Sequence, residues 1–239
     1  MPTPADVLAA INAADSAAPR ITCYDDLPGP TAGERVELSG RVLGTWVSKA
    51  ANALQEEWDI EPGSVVHVAM RPHWRLLYWA WAVWSVGAVL DLEDPAAADL
   101  VVTDDPERLP DDGPAVLVTR AALARWAAVE VRDGVMDEAA ELASHGDHFT
   151  PWAEPEGDDV ALRVGGEQAT YARVVSTGGS TVGSTGSKGA RVQLVDPSPE
   201  ALLRTALAVW SEHGSLVVHL GQDDEATLAR RARSEGVTA

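Results

Sequence analysis

The stretch IEPGSVVHVAMRPHWRLLYWAWAVWSVGAVLDLEDP, residues 60–95, contains a turn, a strand, a helix and a second strand. Pro62 and Gly63 favour the turn, and the β-branched valines after them predict a strand over 65–70. The apolar residues of this strand do not alternate with polar ones, which is typical of a parallel strand covered by helices. Residues 76–90 carry no charge, but the run is short of the roughly 20 residues that a membrane-spanning helix needs. Gly87 divides it into a helix and a strand over 88–92.

Four tryptophans point to several sides of this predicted helix: Trp74, Trp79, Trp81 and Trp84. Two interpretations are open. The tryptophans could form an aromatic surface for a partner protein, or they could belong to the core. We favour the core, because a helix that is apolar on all sides is usually buried.

Composition restricts the classes of function. The chain has 239 residues, enough for one large domain or two small ones. Its formal net charge of −19 argues against general binding of nucleic acids or anionic membranes, since both require a basic surface. The one cysteine, Cys23, cannot form an intramolecular disulfide. The first residues, MPTPADVLAAINAAD, carry acid where a signal peptide carries base, so we predict a cytoplasmic protein.

Strands and helices alternate along the chain, which predicts an α/β fold with two doubly wound, mostly parallel sheet units flanked by helices. We divide the chain into an N-terminal helix and lead-in (1–20), a first α/β unit (21–157) and a smaller second unit (158–239). Further helices are predicted over 4–13, 40–57, 119–129, 199–214 and 223–235. Further strands are predicted over 19–26, 34–38, 99–103, 115–118, 160–164, 191–195 and 215–220. Residues 167–177 fit either a helix or a strand.

Common catalytic signatures are absent from the sequence. No Gly-x-Gly-x-x-Gly pattern follows a predicted strand, and no Gly-x-Ser-x-Gly elbow occurs. The Walker A pattern fails because Ser187 stands where the glycine before the lysine belongs. His145 and His148 could form a metal pair, but no third ligand is placed, and we interpret them as residues of a solvated loop. Cys23 would need a nearby base to act as a nucleophile, and we predict that it packs in the core. We therefore assign no catalytic residue and no metal site.

The order of the elements resembles the N-terminal part of the adenylate-forming superfamily, which includes acyl-CoA synthetases, adenylation domains and luciferases. Several short segments carry the resemblance: Ala51-Asn52-Ala53-Leu54, Pro62-Gly63-Ser64-Val65-Val66, Gly87-Ala88-Val89, Asp94-Pro95, the segment 213–220, and Val237-Thr238. None of these is a catalytic motif, so they imply a fold more than a chemistry. The truncated pattern also resembles a small group of short actinobacterial proteins of unknown function.

The signature of that superfamily is a Ser/Thr/Gly-rich loop ending in Pro-Lys-Gly, which wraps the phosphates of ATP. Backbone N–H groups supply an anion-binding nest and the lysine a point charge. Residues 183–189, GSTGSKG, resemble this loop without its proline. The resemblance implies nucleotide-binding candidates at Ser184, Thr185, Gly186 and Lys188. The family places a helix between the loop and the next strand, whereas only two residues separate Lys188 from the strand predicted at Arg191.

A second register, which we favour, places the loop at residues 163–168 and its helix over 167–177. The loop is then Arg163-Val164-Gly165-Gly166-Glu167-Gln168, with Gly165 and Gly166 as the candidate nucleotide-binding residues. It has no lysine, and it carries an acid where phosphates would lie. The family's later motifs, including the ribose-binding aspartate and the lysine of the mobile C-terminal domain, are expected beyond residue 239.

The resemblance therefore implies a non-catalytic relative of adenylate-forming enzymes, a pseudoenzyme without a cofactor. It would act as a binding or regulatory module through a homo-oligomer or a protein partner. The alternative is a protein that binds ATP, AMP or an acyl-CoA-type ligand in the cleft between the two units, with Lys188 holding phosphate. In a third hypothesis, a separately encoded C-terminal partner completes the site.

Overall fold

The computed structural model describes residues 1–178, 188–222 and 224–239. The helices are α1 (Pro4–Asp15), α2 (Gly40–Trp58), α3 (Trp74–Ser85), α4 (Glu138–Glu141), α5 (Val174–Gly178), α6 (Pro199–Ser211) and α7 (Glu225–Glu235). The strands are β1 (Pro19–Asp25), β2 (Glu34–Ser39), β3 (Val65–Ala69), β4 (Val89–Asp91), β5 (Leu100–Thr103), β6 (Ala115–Leu117), β7 (Val135–Asp137), β8 (Val160–Val164), β9 (Glu167–Thr170), β10 (Arg191–Val195) and β11 (Ser215–Leu220). Within the described ranges, no helix is long and apolar enough to span a membrane.

The strands form two sheets. The larger has the order β7-β6-β5-β3-β4-β8-β9 and is parallel except for β9. The smaller has the order β10-β11-β1-β2 and is parallel except for β2. These sheets confirm the predicted α/β class. Each sheet takes strands from both sides of residue 157, because β1 pairs with the late strand β11 while the late strand β8 pairs with β4. The division into units at residues 20 and 157 stays a prediction.

Helix α3 forms the centre of the core. Trp74, Trp79, Trp81 and Trp84 are all buried, which confirms the core interpretation of the tryptophans. The Trp81 ring lies 4.5 Å from the Trp210 ring, centroid to centroid, so the core joins α3 to α6. Two of the buried indoles donate hydrogen bonds to carbonyl oxygens, Trp81 to Pro4 at 2.9 Å and Trp84 to Ala161 at 2.8 Å.

Side-chain caps explain where the longer helices begin. The hydroxyls of Thr3, Ser39 and Ser198 accept N–H groups in the first turns of α1, α2 and α6. Each cap satisfies one of the four N–H groups that a helix start leaves without an intrahelical partner. Helix α7 ends at Gly236 in the left-handed conformation, as expected for a glycine after a helix.

The helix predicted over residues 119–129 is wrong. This segment runs through irregular turns, and Leu123 and Trp126 are 93% and 69% exposed. Several of its backbone polar groups bond to side chains. Arg75 donates to the carbonyls of Arg120 and Ala121, at 3.4 and 3.2 Å, and the N–H of Ala127 donates to a carboxylate oxygen. The local sequence of this segment was therefore insufficient to predict its structure.

The segment 167–177 contains both predicted structures in succession. Residues 167–170 form β9, and the helix α5 begins only at Val174. The helix that the second register places over 167–177 is therefore wrong in its first half. The reason is local: Gly165 and Gly166 turn the chain back so that Glu167 pairs with Val164.

Candidate functional site

Gly165 and Gly166 join β8 to β9 in a two-residue hairpin turn. Their φ angles are +63° and +76°, the left-handed region that the favoured two-residue hairpin turns require and that glycine adopts without steric cost. Val164 pairs with Glu167 and Arg163 with Gln168 on either side of the turn. The chain thus returns at once along β8, and a longer loop that could wrap a triphosphate has no place between these two strands.

A carboxylate closes the turn. The Oε1 atom of Glu93, in the loop after β4, accepts a hydrogen bond from the Gly166 N–H. The N–H of Glu93 in turn donates to Oδ1 of Asp91 at 2.7 Å, which fixes the loop. Backbone N–H groups are what a phosphate-binding nest provides. Here such a group is already bound to the carboxylate of Glu93.

A crevice of about 400 Å³ lies beside Glu93, at the carboxyl ends of β3 and β4. In open α/β sheets, ligands commonly bind at the carboxyl ends of the strands. Burial lowers the pKa of His67, which lines this crevice, so its imidazole is neutral near pH 7. Arg108 also lines the crevice, but its guanidinium is exposed and lies 3.7 Å from Asp105. A neutral histidine, an acid and an exposed arginine make a poor site for several phosphate charges.

Lys188 lies in the turn that precedes β10 of the smaller sheet. Its side chain is exposed in a turn with Gly189, whose N–H donates to the carbonyl of Glu212 at 2.8 Å. Strand β10 then begins at Arg191, so the predicted start of this strand is confirmed. The other residues of the first register, Ser184, Thr185 and Gly186, lie outside the described residues.

The side chain of His145 and the backbone of His148, an exposed residue, contact α2. The Nδ1 atom of His145 lies 3.3 Å from Oε2 of Glu56, and Asp147 forms an ion pair with Lys49 at 2.6 Å. The carbonyl of His148 accepts a hydrogen bond from Asn52 at 2.9 Å. In residues 1–178, 188–222 and 224–239, no group of three or more His, Cys, Asp or Glu side chains could hold a metal ion.

Cys23 lies in β1 and is buried, as the sequence predicted. Burial raises the pKa of its thiol to about 12, so the thiolate that a nucleophile requires is scarce at neutral pH.

Arg75 and Glu138 form a buried ion pair that was not predicted from the sequence, and Arg75 also contacts the segment 119–129. The Nη1 atom of Arg75 lies 2.6 Å from Oε1 of Glu138, with the two side chains 5% and 1% exposed. The hydroxyl of Tyr78 donates to the same carboxylate oxygen. One signal was present: Arg75 is a charged residue at the start of a helix that is otherwise entirely apolar up to Ser85.

A second cluster centres on Arg120. Its Nη1 atom lies 3.3 Å from Oδ2 of Asp25, and its Nε atom lies 3.1 Å from Oδ2 of Asp104. Both aspartate side chains are 2% exposed. Burial raises the pKa of Asp104, opposed by the N–H of Arg71 and by Arg120. Asp25 ends β1 and Asp104 follows β5, so nothing in the linear sequence indicates that one arginine pairs with both.

Sequence comparison finds one close relative and no matching family model. A TIGR03089 family protein from Mycobacterium tuberculosis is 32% identical over 239 residues, covering 94% of this chain and 92% of the relative.

The solved structures that resemble this one are adenylate-forming enzymes or their N-terminal domains. Brucella canis acyl-CoA synthetase matches 99% of this chain with a TM-score of 0.75 and 15% identity. The N-terminal domain of FACL13 from Mycobacterium tuberculosis matches 99% with a TM-score of 0.72 and 16% identity. This chain spans 46% and 62% of those two chains. At this level of identity the likeness shows the fold, and it confirms the fold of an adenylate-forming N-terminal domain.

Proposed function

This chain belongs to the TIGR03089 family and has the fold of the N-terminal domain of adenylate-forming enzymes, and on that premise we propose that it acts as a non-catalytic binding or regulatory module. The partner would be another protein or a second copy of the chain. The proposal is carried by the turn at Gly165 and Gly166. In the register that fits the order of elements, this turn stands where the superfamily has its phosphate loop, and Glu93 binds the Gly166 N–H.

Adenylation requires hydrogen-bond donors and positive charge around the phosphates of ATP, and the turn at Gly165 and Gly166 provides few of them. Removing a single preorganised donor from an active site typically costs about 10²–10³ in rate. In the second register the lysine is absent, one backbone N–H is bound to a carboxylate, and Glu167 adds a further negative charge. The combined loss leaves adenylation without its electrostatic stabilisation.

The test is ATP–pyrophosphate exchange with a panel of fatty, aromatic and amino acids. An active acyl-CoA synthetase in the same buffer is the positive control. We expect exchange at the level of the protein-free background with every acid, for the wild type and for Glu93→Gln alike. Exchange above background with any acid would contradict the proposal.

The alternative function is a nucleotide- or acyl-CoA-type ligand-binding protein. It is favoured by the exposed side chain of Lys188 and by the left-handed φ of +79° at Gly189. A residue in this conformation is a common part of the backbone nests that bind anions.

Calorimetry with ATP, AMP and an acyl-CoA distinguishes this alternative. It requires binding that Lys188→Ala abolishes and that the matched variant Arg233→Ala, at an exposed position of α7, leaves intact. Absence of binding, or binding that survives Lys188→Ala, would count against it.

A further inference from the structure

The irregular segment 119–129 forms one wall of a cleft of about 670 Å³. The floor lies at the carboxyl ends of β5 and β6, and the turn between β1 and β2 forms the opposite wall. The volume falls within the range of about 300–1,000 Å³ that is usual for small-molecule sites. Most of the lining is apolar, with Leu123 and Trp126 at the opening.

Two buried carboxylates lie at the floor, and one of them, Asp104, lines the cleft. Asp25 and Asp104 share the single guanidinium of Arg120. Both oxygens of Asp25 have hydrogen-bond partners: Oδ1 accepts the N–H of Leu27, and Oδ2 accepts the hydroxyl of Thr31 and an N–H of Arg120.

Asp104 lines the cleft and retains bonding capacity. Its Oδ1 atom accepts the Arg71 N–H at 3.1 Å. Its Oδ2 atom lies 3.1 Å from Nε of Arg120 but has no hydrogen-bond partner among the described residues. A buried carboxylate oxygen in this position favours a ligand that donates a hydrogen bond and brings positive charge.

We propose that this cleft binds a small amphipathic amine, with its ammonium group held by Asp104 and its apolar body packed against Trp126. The ammonium would donate to the Asp104 oxygen that has no hydrogen-bond partner among the described residues. An anionic head group in the same place would face the buried Asp104 carboxylate. Arg125 lines the cleft too, but it is exposed, so solvent screens its charge. The inference goes beyond the proposed function, and it does not depend on the Gly165–Gly166 turn.

The test uses two probes of similar shape and opposite charge, 2-phenylethylamine and 3-phenylpropanoate. Binding is followed through the indole N–H signals in ¹H–¹⁵N spectra of the full chain. The signal of Trp126 is identified by its loss in Trp126→Phe, and that of Trp152, an exposed tryptophan that does not line the cleft, is the internal reference. We expect the amine to shift the Trp126 signal saturably at millimolar concentrations while the Trp152 signal stays in place.

Variants then test the contacts. Asp104→Asn should weaken amine binding at least about tenfold, as expected for the loss of a hydrogen bond to a charged group. Asp112→Asn removes the same charge from an exposed loop position and should leave binding unchanged. If Asp104→Asn disturbs folding, Trp126→Ala provides the test, since this exposed side chain can be removed without loss of core packing. It should weaken binding by roughly threefold or more.

Four results would overturn the proposal. They are the absence of saturable binding, binding of the acid as tight as that of the amine, an unchanged affinity in a folded Asp104→Asn, and an unchanged affinity in Trp126→Ala.

Discussion

Substitution of Glu138 by glutamine tests whether the buried ion pair with Arg75 stabilises the fold around the amine cleft. Glutamine has nearly the same shape and keeps an oxygen for the Tyr78 hydroxyl, but Arg75 loses its counter-charge. With the two side chains 5% and 1% exposed, solvent provides little screening. Breaking a buried pair by removing one partner costs about 3–5 kcal/mol. For a chain of this size each kcal/mol lowers Tm by about 2–4 °C, so we expect a fall of roughly 6–20 °C.

The measurement is urea denaturation followed by circular dichroism at pH 7, beside thermal scans. Glu130→Gln is the matched control, because it makes the same change at an exposed position and should lie within about 0.5 kcal/mol of the wild type. A Glu138→Gln protein within 1 kcal/mol of the wild type, a limit of about one third of the smallest expected cost, would refute the reasoning.

A double substitution separates the cost of the unpaired charge from the worth of the pair. Replacing a whole buried pair by apolar residues is often nearly neutral, whereas removing one member is not. Arg75→Met with Glu138→Leu should therefore be less destabilising than the sum of Arg75→Met and Glu138→Leu measured singly. It should not be neutral, because Arg75 also donates to the Arg120 and Ala121 carbonyls that shape the segment 119–129. Additive effects would mean that the two side chains are not energetically coupled.

Three further predictions concern other parts of the chain. Hydrogen bonds from Arg35 lower the pKa of Glu235 from 4.5 to about 2. The ion pairs of Glu235 therefore stabilise the fold above pH 4.5, and this contribution is lost as the pH falls towards 2. In Glu235→Gln, Tm should fall less steeply than in the wild type between pH 4.5 and pH 2. Gly165→Val should destabilise by about 1–2 kcal/mol in urea denaturation, and Gly165→Asn by less, because valine tolerates the left-handed conformation poorly. A thiol reagent should label Cys23 only as fast as the native state opens, and fast labelling without denaturant would contradict its burial.

Much of the fold could be predicted because it is encoded locally. The valine-rich strands and the apolar helix α3 depend on neighbours in sequence, and the structure confirms them. Strand β7 was not predicted from the sequence, because it has only three residues, lies at the sheet edge and belongs to an acidic, weakly patterned segment. The prediction of a helix over 119–129 was wrong because the local sequence gives no information about Arg75. This residue is more than 40 residues away in sequence and donates hydrogen bonds to two carbonyl groups of the segment.

The candidate sites were harder to predict, for the same physical reason. The hydrogen bond at the Gly166 N–H depends on Glu93, which lies 73 residues earlier and reaches the turn only because β4 pairs with β8. The charge balance at Asp104 depends on Arg120 and on Asp25, which belongs to the other sheet. Local sequence shows that these residues are acidic, but it does not show which basic group faces them.

Two of the acidic residues of this chain lie at positions where they would affect ligand binding. The net charge of −19 is formally a property of the whole chain. Two of its carboxylates, however, lie at the carboxyl ends of strands, where α/β proteins commonly bind ligands: Glu93 after β4 and Asp104 after β5. At the first position a carboxylate opposes phosphate, and at the second it favours an amine.

The two effects are local, because screening limits such fields to about 8 Å at physiological ionic strength. Glu93→Gln should therefore leave amine binding unchanged, and Asp104→Asn should leave the response to nucleotides unchanged. If either substitution altered both properties, the two sites would be coupled, and a single ligand spanning both would explain the data better than two separate carboxylates.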